Sequence, residues 1–415
     1  MHHEDAVEIT GHLMDSGVLA RILDDVLDYG GDYRVDRIDL GKTHEDESSA
    51  RLVIGADTEE ALDRLLMRLQ IHGANRVDPG EAVLRPADRD GVFPADFYST
   101  TNLETVVRLD GQWVPVEHPE MDCGLHVYAT GRVRTIPVSD VTAGMPIVCG
   151  SAGVRVVLPP REHSVTEQAE AAEFGFMSSL VSSEKPQALL VRQIARRMHE
   201  VKSVGQRILW VGGPAIVHTG AAPALVALIK AGYVDVLFAG NALATHDVES
   251  ALFGTSLGVD LSAGTGVAHG HEHHIRAINT IRRAGSLRAA VDSGVLTGGI
   301  MHALVTTGRH FVLVGSVRDD GPLPDVFTDV IEGQRAMRAE LPGVGFAIMV
   351  ATMLHSIATG NLLPASVPLV SVDINPATAT KLADRGSGQA VGIVTDIGLF
   401  LEQLARELID DYGRG

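Results

Sequence analysis

The chain has 415 residues, of which 45% are hydrophobic, and a formal net charge of −19. That length allows two or three domains with sizeable cores, and the composition excludes a fibrous or disordered chain. The acidity argues against nucleic acid as a partner, because phosphate contacts need a basic surface. It leaves room for an anionic cofactor held by backbone N–H groups at helix N-termini. The two cysteines, Cys123 and Cys149, are too few for a disulfide scaffold or a cysteine-rich zinc site. The opening MHHEDAVEIT lacks the apolar core of a signal peptide, and no apolar run reaches the roughly 18 residues of a membrane span. The expectation is a soluble cytoplasmic enzyme that does not bind membranes and holds no metal.

The pattern divides the chain into segments 1–85, 86–160 and 161–415. In the first, SGVLARILDDVLDYGG and TEEALDRLLMRLQIHG have helical periodicity, and YRVDRIDLGK and SARLVIGAD are strand-like. This predicts a small ferredoxin-like α/β unit. The second segment is β-rich: WVPVE, GLHVYA, RVRTIPV and VRVVLPP are short runs separated by Gly, Pro and Asp, suited to a small barrel or sandwich. Its irregular stretch VFPADFYSTTNLET carries Phe93, Asp96, Phe97, Tyr98, Thr100, Thr101 and Asn102. Binding residues concentrate in such loops, so this is the substrate-side candidate, with an ordered aromatic-anchored connector as the alternative. A helical bridge, EQAEAAEFGFMSS, leads into SSEKP and Lys185.

From about residue 186 helix and strand alternate, which predicts βαβ units and a doubly wound, mostly parallel sheet. Six apolar runs with little alternation, as in strands buried on both faces, each end in polar or glycine-rich residues. ILWVGGP ends at Gly212 and Gly213, and DVLFAGNA at Gly240 and Asn241. HFVLVGSVRDDGP ends at Asp319 and Asp320, AIMVATMLHS at Thr352 and His355, LVSVDINP at Asp373, and AVGIVTD at Asp396. Ligands of open parallel sheets bind outside the carboxyl ends of the strands, so this pattern points to a nucleotide-type site.

The individual residues carry different chemistry. The GxGxxG fingerprint is absent; Gly212 and Gly213 of GGPAIVHTG would let the backbone approach a phosphate. Asn241, followed by Ala242, could hold an amide or a ribose hydroxyl. Asp247 and Glu249 are expected to begin the following helix and complement its dipole. Asp373 is either a ribose acceptor or a cap before Pro376, and Asp396 has the same two readings. His269, His271, His273 and His274 lack HExxH spacing, which leaves a cleft or surface role. Asp319 and Asp320 beside Arg318 could divide hydrogen bonding from proton transfer, or form a salt-bridged turn. The only lysines are Lys42, Lys185, Lys202, Lys230 and Lys381. Lys185, in an irregular polar setting, could take a substrate carboxylate or pack at a domain seam.

Taken together, AGNALATHD, GHEHHIRAIN, GSVRDDGPLPD, ATMLHSIATGNLLP and VDINPATATKLADRGSGQAVGIVTD resemble the archaeal-type ornithine cyclodeaminases. Their module also forms the C-terminal half of bifunctional arginine dihydrolase/ornithine cyclodeaminases and carries the LOR/SDH conserved region. TGHLMDSGVL, GVFPADFYSTTN, MDC and FGFMSSLVSSEKP extend the resemblance over nearly the whole chain. It implies a Rossmann-like sheet domain similar to that of deoxyhypusine synthase, and NAD recycled within each turnover. By position it implies NAD contacts from Asn241, Ala242, Asp319, Thr352, Met353, Leu354, His355, Asp373, Asp396 and Ile397. Gly212 and Gly213 join this cofactor set from the strand-end pattern. The arginine-hydrolysing half has no counterpart here, so the implied amino-acid substrate is ornithine, in a homo-oligomeric enzyme. Hydride leaves Cα, the δ-amine closes on the resulting imine, ammonia departs, and hydride returns to give proline. Asp320 is the expected acid/base and His355 a cleft hydrogen-bond partner; Asn102 and Lys185 are expected on the substrate side. The rival activities are an NAD-dependent dehydrogenase of a related diamino acid, a deoxyhypusine-synthase-like transferase, and a non-catalytic NAD-binding regulator.

Overall fold

A computed structural model of the chain describes residues 2–11, 13, 18–41, 46, 48–157, 187–257, 259–260, 273–319, 321–377 and 390–412. It divides into two compact units, residues 1–174 with 361–366, and residues 175–360 with 367–415.

The first unit opens with strands β1 (His3–Gly11), β2 (Asp32–Asp39), β3 (Ser48–Ala56) and β4 (Asn75–Arg76) and helices Val18–Asp28 and Glu59–Gln70. The sheet order is β2-β3-β1-β4, the arrangement of a ferredoxin-like unit. Two of its strands have no obvious sequence signal. β1 is studded with charge and buries only Val7 and Ile9, two residues apart; β4 has two residues. Thr58 caps the second helix by accepting from the Ala61 N–H, with Glu59 and Glu60 in its first turn, as the helix dipole favours.

The β-rich part contains β5 (Val83–Pro86), β6 (Glu104–Leu109), β7 (Gln112–Glu117), β8 (Gly124–Val127), β9 (Val133–Ile136), β10 (Pro146–Cys149) and β11 (Val154–Val157). They form one ladder ordered β11-β6-β7-β9-β8-β10-β5, antiparallel except for β7 with β9. The Gln70 amide donates to the Val154 carbonyl (2.8 Å), and Asn75 exchanges hydrogen bonds with Val156 across 2.9 Å, tying the ladder to the ferredoxin-like sheet.

The second unit is built on β12 (Arg207–Gly212), β13 (Val236–Gly240), β16 (His310–Val314), β17 (Val326–Phe327), β18 (Val344–Val350), β19 (Leu369–Asp373) and β20 (Ala390–Val394). Between β13 and β16 lies a small hairpin of β14 (Thr255–Ser256) and β15 (Val259–Asp260). The large sheet is parallel throughout, ordered β17-β16-β13-β12-β18-β19-β20. The chain builds outward from β12 in one direction, then returns to lay β18 on its other side. That is the doubly wound nucleotide-binding order with one short extra edge strand, and its switch point lies between β12 and β18. β18 is buried along its whole length, as two-sided helix cover requires.

Asp247 and Glu249 do not begin a helix. The helix Asn241–Phe253 starts directly at the end of β13, so both lie in its middle. Buried Asp247 instead accepts from the Ile300 N–H (2.7 Å) and the Met301 N–H (2.8 Å), capping the helix Gly299–Thr306. Burial pushes its carboxyl up to about 6 despite those two donors.

Candidate functional site

The two edges of the large sheet differ in charge chemistry. At the amino ends, ions neutralise one another. Asp235 pairs with Lys202 (2.9 Å) and Arg309 (2.8 Å), and Glu340 with Arg207 (2.6 Å) and His310 (2.9 Å). At the carboxyl ends, Asp319, Asp373 and Asp396 have no ion-pair partner among the described residues. Carboxylates gathered without neutralising cations at the carboxyl edge of a parallel sheet mark the edge where ligands bind in such folds.

The switch point itself is closely fitted. The Gly213 N–H donates to the Val350 carbonyl (2.9 Å), and a Cβ on Gly213 would fall 1.8 Å from the Ala351 carbonyl oxygen. No side chain fits there. Ala351 takes a left-handed conformation, φ 58°, which is strained for a residue with a Cβ. Its N–H is held by the Val372 carbonyl at 3.0 Å, so β12, β18 and β19 lock together at their carboxyl ends.

Three separate segments meet beside this point. Asn241, buried in the first turn after β13, donates from Nδ2 to Asp319 Oδ1 (3.1 Å). Its Oδ1 accepts from Thr245 Oγ1 and from the Leu323 N–H, both at 3.1 Å. Asp319 Oδ2 accepts from the Ser316 N–H at 2.6 Å, so the carboxylate serves the loop and Asn241. His355, on the helix Leu354–Leu362, lies against Gly240, where an added Cβ would meet its Cε1 at 3.0 Å. Burial lowers the imidazole's pKa below the usual histidine range, although a hydrogen bond to the Val314 carbonyl and the Asp319 charge pull the other way. Burial therefore favours the neutral form of the ring.

The remaining expected positions are less tightly partnered. The helix Asn241–Phe253 is preceded by Gly240 and has no side-chain cap, which leaves first-turn N–H groups for an anion. Asp373 spends Oδ1 on the Asn375 N–H (2.8 Å); Oδ2 has no partner among the described residues. Asp396 caps the helix Ile397–Leu408 through the Leu399 N–H, also at 2.8 Å. Ile397 points into the core, leaving only its backbone for a ligand. Thr352 and Met353 are half-buried between β18 and the helix that carries His355, while Leu354 is exposed. A strand-end carboxylate with a spare oxygen, an uncapped helix start and a glycine-only approach at the switch point are what a dinucleotide's ribose and phosphates need.

Lys185 and Asp320 lie outside the described residues, as do the bridge EQAEAAEFGFMSS, Lys42, Lys381, His269, His271 and Glu272. Asn102 belongs to the first unit. It is buried, and its carbonyl accepts from the Ala365 N–H at 2.8 Å. The stretch around it is anchored by stacked Phe93 and Phe97 (centroids 4.5 Å apart) and by buried Tyr98. Cys123 is buried, forms no disulfide and lies beside Thr100, whose hydroxyl oxygen accepts from the Cys123 N–H at 3.0 Å.

Sequence reasoning missed a buried polar network behind the site. Glu249, fully buried, accepts from His246 Nδ1 (2.9 Å), Thr255 Oγ1 (3.0 Å) and the Leu257 N–H (3.3 Å). Thr255 also bonds His273 Nδ1 at 2.8 Å, and the His246 ring lies 4.7 Å from that of His218. Of the histidine run, His273 therefore has a structural partner and His274 is exposed. Among the described residues, no three metal-ligating side chains converge.

Comparison with known proteins places the whole chain. Residues 4–103 match the LOR/SDH bifunctional enzyme conserved region. Residues 104–191 match the first region of the ArgZ-like C-terminal part, and residues 192–404 its Rossmann fold. The ornithine cyclodeaminase of Methanothermobacter thermautotrophicus is 51% identical over 410 residues, covering 99% of this chain and 98% of that protein. The crystal structure of apo ArgZ, a cyanobacterial arginine dihydrolase, superposes with a TM-score of 0.86 at 34% identity, covering 99% of this chain. The ternary complex of AgrE with ornithine and NAD+ has a TM-score of 0.53 at 38% identity, covering 100% of this chain. The chain spans 58% of the ArgZ chain and 59% of the AgrE chain.

Proposed function

The chain belongs to the ornithine cyclodeaminase family that carries the LOR/SDH conserved region and the ArgZ-like C-terminal regions, and from that premise we propose that it converts L-ornithine to L-proline and ammonia with NAD. The observation that carries the reading is the carboxyl edge of the large sheet, where Gly213, Asn241, Asp319 and His355 lie about the switch point and Asp373 ends the next strand, β19, without neutralising cations among the described residues. NAD, when bound, supplies a hydride acceptor that becomes the donor in the closing step.

The chain's own residues bind, orient and move protons. Asp373 accepts from ribose hydroxyls through its spare oxygen. Gly212, Gly213 and the backbone of Asn241 and Ala242 admit the phosphates; Thr352, Met353, Leu354, Asp396 and Ile397 border the cofactor. Asp319 fixes Asn241 so that one amide face is defined. His355, neutral, accepts or donates a hydrogen bond without adding charge. We assign proton transfer between the two amines to Asp320, and substrate binding to Lys185 and Asn102. We read the three segments 1–85, 86–160 and 161–415 as working in one cytoplasmic homo-oligomeric enzyme; its two buried cysteines form no disulfide, which suits a reducing compartment.

Incubation with ornithine is expected to release proline and ammonia in equal amounts with no net change in absorbance from NADH. NADH accumulating in step with product would replace this reading with a dehydrogenase. Asp373→Ala is expected to weaken NAD by about ten- to a hundredfold in calorimetry, since charge-assisted hydrogen bonds contribute roughly 1.5–3 kcal/mol. An unchanged dissociation constant in the folded variant would limit Asp373 to its turn with Asn375.

A further inference from the structure

The ferredoxin-like sheet ends in β2, an edge strand with unusual features. Val35 is 44% exposed, Ile38 40%, and Leu40, just beyond the strand, 55%. Leu27, on the helix that packs against β2, is 57% exposed. Edge strands usually protect themselves with charge and bulges. β2 has both, yet it leaves an apolar row uncovered.

The order of its residues is self-complementary. Running the segment Tyr33–Leu40 against itself antiparallel, about a two-fold axis between Asp36 and Arg37, sets Tyr33 opposite Leu40 and Arg34 opposite Asp39. It also sets Val35 opposite Ile38 and Asp36 opposite Arg37. Apolar meets apolar and each charge meets its opposite.

A regular strand could not use that register. Directly opposed residues share a face, and Val35 and Ile38, three apart, would point to opposite faces. The bulge removes the obstacle. Val35 pairs with Leu52 of β3, Arg37 with Arg51 and Ile38 with Ala50, so Asp36 is the extra residue. Leu52, Ala50 and Ile54 face the core, which puts Tyr33, Val35 and Ile38 on that same face. Arg34, Arg37 and Asp39 lie on the other. Asp36 joins them there through its ion pair with Arg51 (3.3 Å). The three pairs within the strand are then face-consistent, with the charged pairs on the outer face and Val35–Ile38 continuing the core.

We propose that β2 is a homodimerisation edge, pairing antiparallel with β2 of a second copy of this chain in the register that sets Val35 opposite Ile38. The proposal rests on the homo-oligomeric reading above and names its surface. Directly opposed apolar and opposite-charge pairs are the unit of sheet stabilisation, and a two-fold axis doubles each of them.

The register is testable by cross-linking the purified protein, because the native Cys123 and Cys149 are buried. A mixture of Val35→Cys and Ile38→Cys chains is expected to form a disulfide-linked heterodimer under mild oxidation. Val35→Cys alone should not, since its two copies would stand on the order of 10 Å apart along the strands. In analytical ultracentrifugation, Arg34→Asp should raise the dissociation constant of this contact about tenfold, by facing Asp39 with a like charge twice. The double variant Arg34→Asp/Asp39→Arg should restore it. Equal cross-linking of both single-cysteine preparations and the mixture, or unchanged assembly in Arg34→Asp, would overturn the proposed edge while leaving the oligomer reading intact. A wild-type chain that stays monomeric at all concentrations would overturn both.

Discussion

Gly213→Ala is expected to lose NAD affinity by about ten- to a hundredfold while the protein remains folded. The added methyl would stand 1.8 Å from the Ala351 oxygen, 2.6 Å from its carbonyl carbon and 3.1 Å from Thr352 Cβ. Two of these are backbone atoms, so relief requires β12 and β18 to part at the switch point. Forcing a group into a packed site costs about 1–3 kcal/mol. Here that strain falls at the proposed cofactor site, and every 1.4 kcal/mol is about tenfold in affinity. Ala351 cannot yield easily, since it is already left-handed and held by Val372. Gly212→Ala, in the same glycine pair, is expected to cost less. Its new methyl meets Leu243 Cδ1 at 2.8 Å, the end of a side chain that can rotate away. Calorimetry should therefore separate the two variants clearly. Equal affinities in both would mean that the switch point does not hold the dinucleotide.

What the sequence disclosed follows from which signals are local. Parallel strands buried on two faces form unbroken apolar runs, so six of the seven strands of the large sheet were legible; β17 is too short to leave a trace. The ferredoxin-like unit was legible from its helices and two strands. β1 was hidden by its charges, and β5, β6 and β10 had no alternating pattern that stood out. Asp247 and Glu249 misled because acidic residues after a strand usually open a helix. Here Gly240 ends the strand and precedes the helix directly, which leaves no loop for them to occupy. The positions of Asn241, Asp319 and His355 could be named from strand ends. Their mutual contacts could not, because the bond from Asn241 to Asp319 spans 78 residues of chain. The contacts among Glu249 and its histidine and threonine partners left no signal: a buried carboxylate mid-helix looks in sequence like any exposed one.

The second large effect concerns His355 and pH. Burial disfavours the imidazolium, so the folded protein holds this ring neutral to a lower pH than a free histidine, even with Asp319 nearby. A base whose pKa is lowered on folding leaves stability fully present above about 6.5 and loses it as pH falls toward the depressed value. If the reaction uses the neutral ring, the acid limb of turnover should lie at lower pH than an ordinary histidine would give. His355→Gln keeps a hydrogen-bonding amide near Gly240 and Val314 but cannot titrate. The acid limb of kcat/KM should disappear in that variant. Its activity at pH 7 should fall by at least about tenfold, because a glutamine cannot reproduce the ring's rigid fit across the ends of β13 and β16. NAD affinity is the discriminating readout. If His355 serves the substrate, the dissociation constant for NAD changes little while kcat falls. If the acid limb persists unaltered in His355→Gln, the titrating group is another residue and the neutral ring is only part of the packing over Gly240.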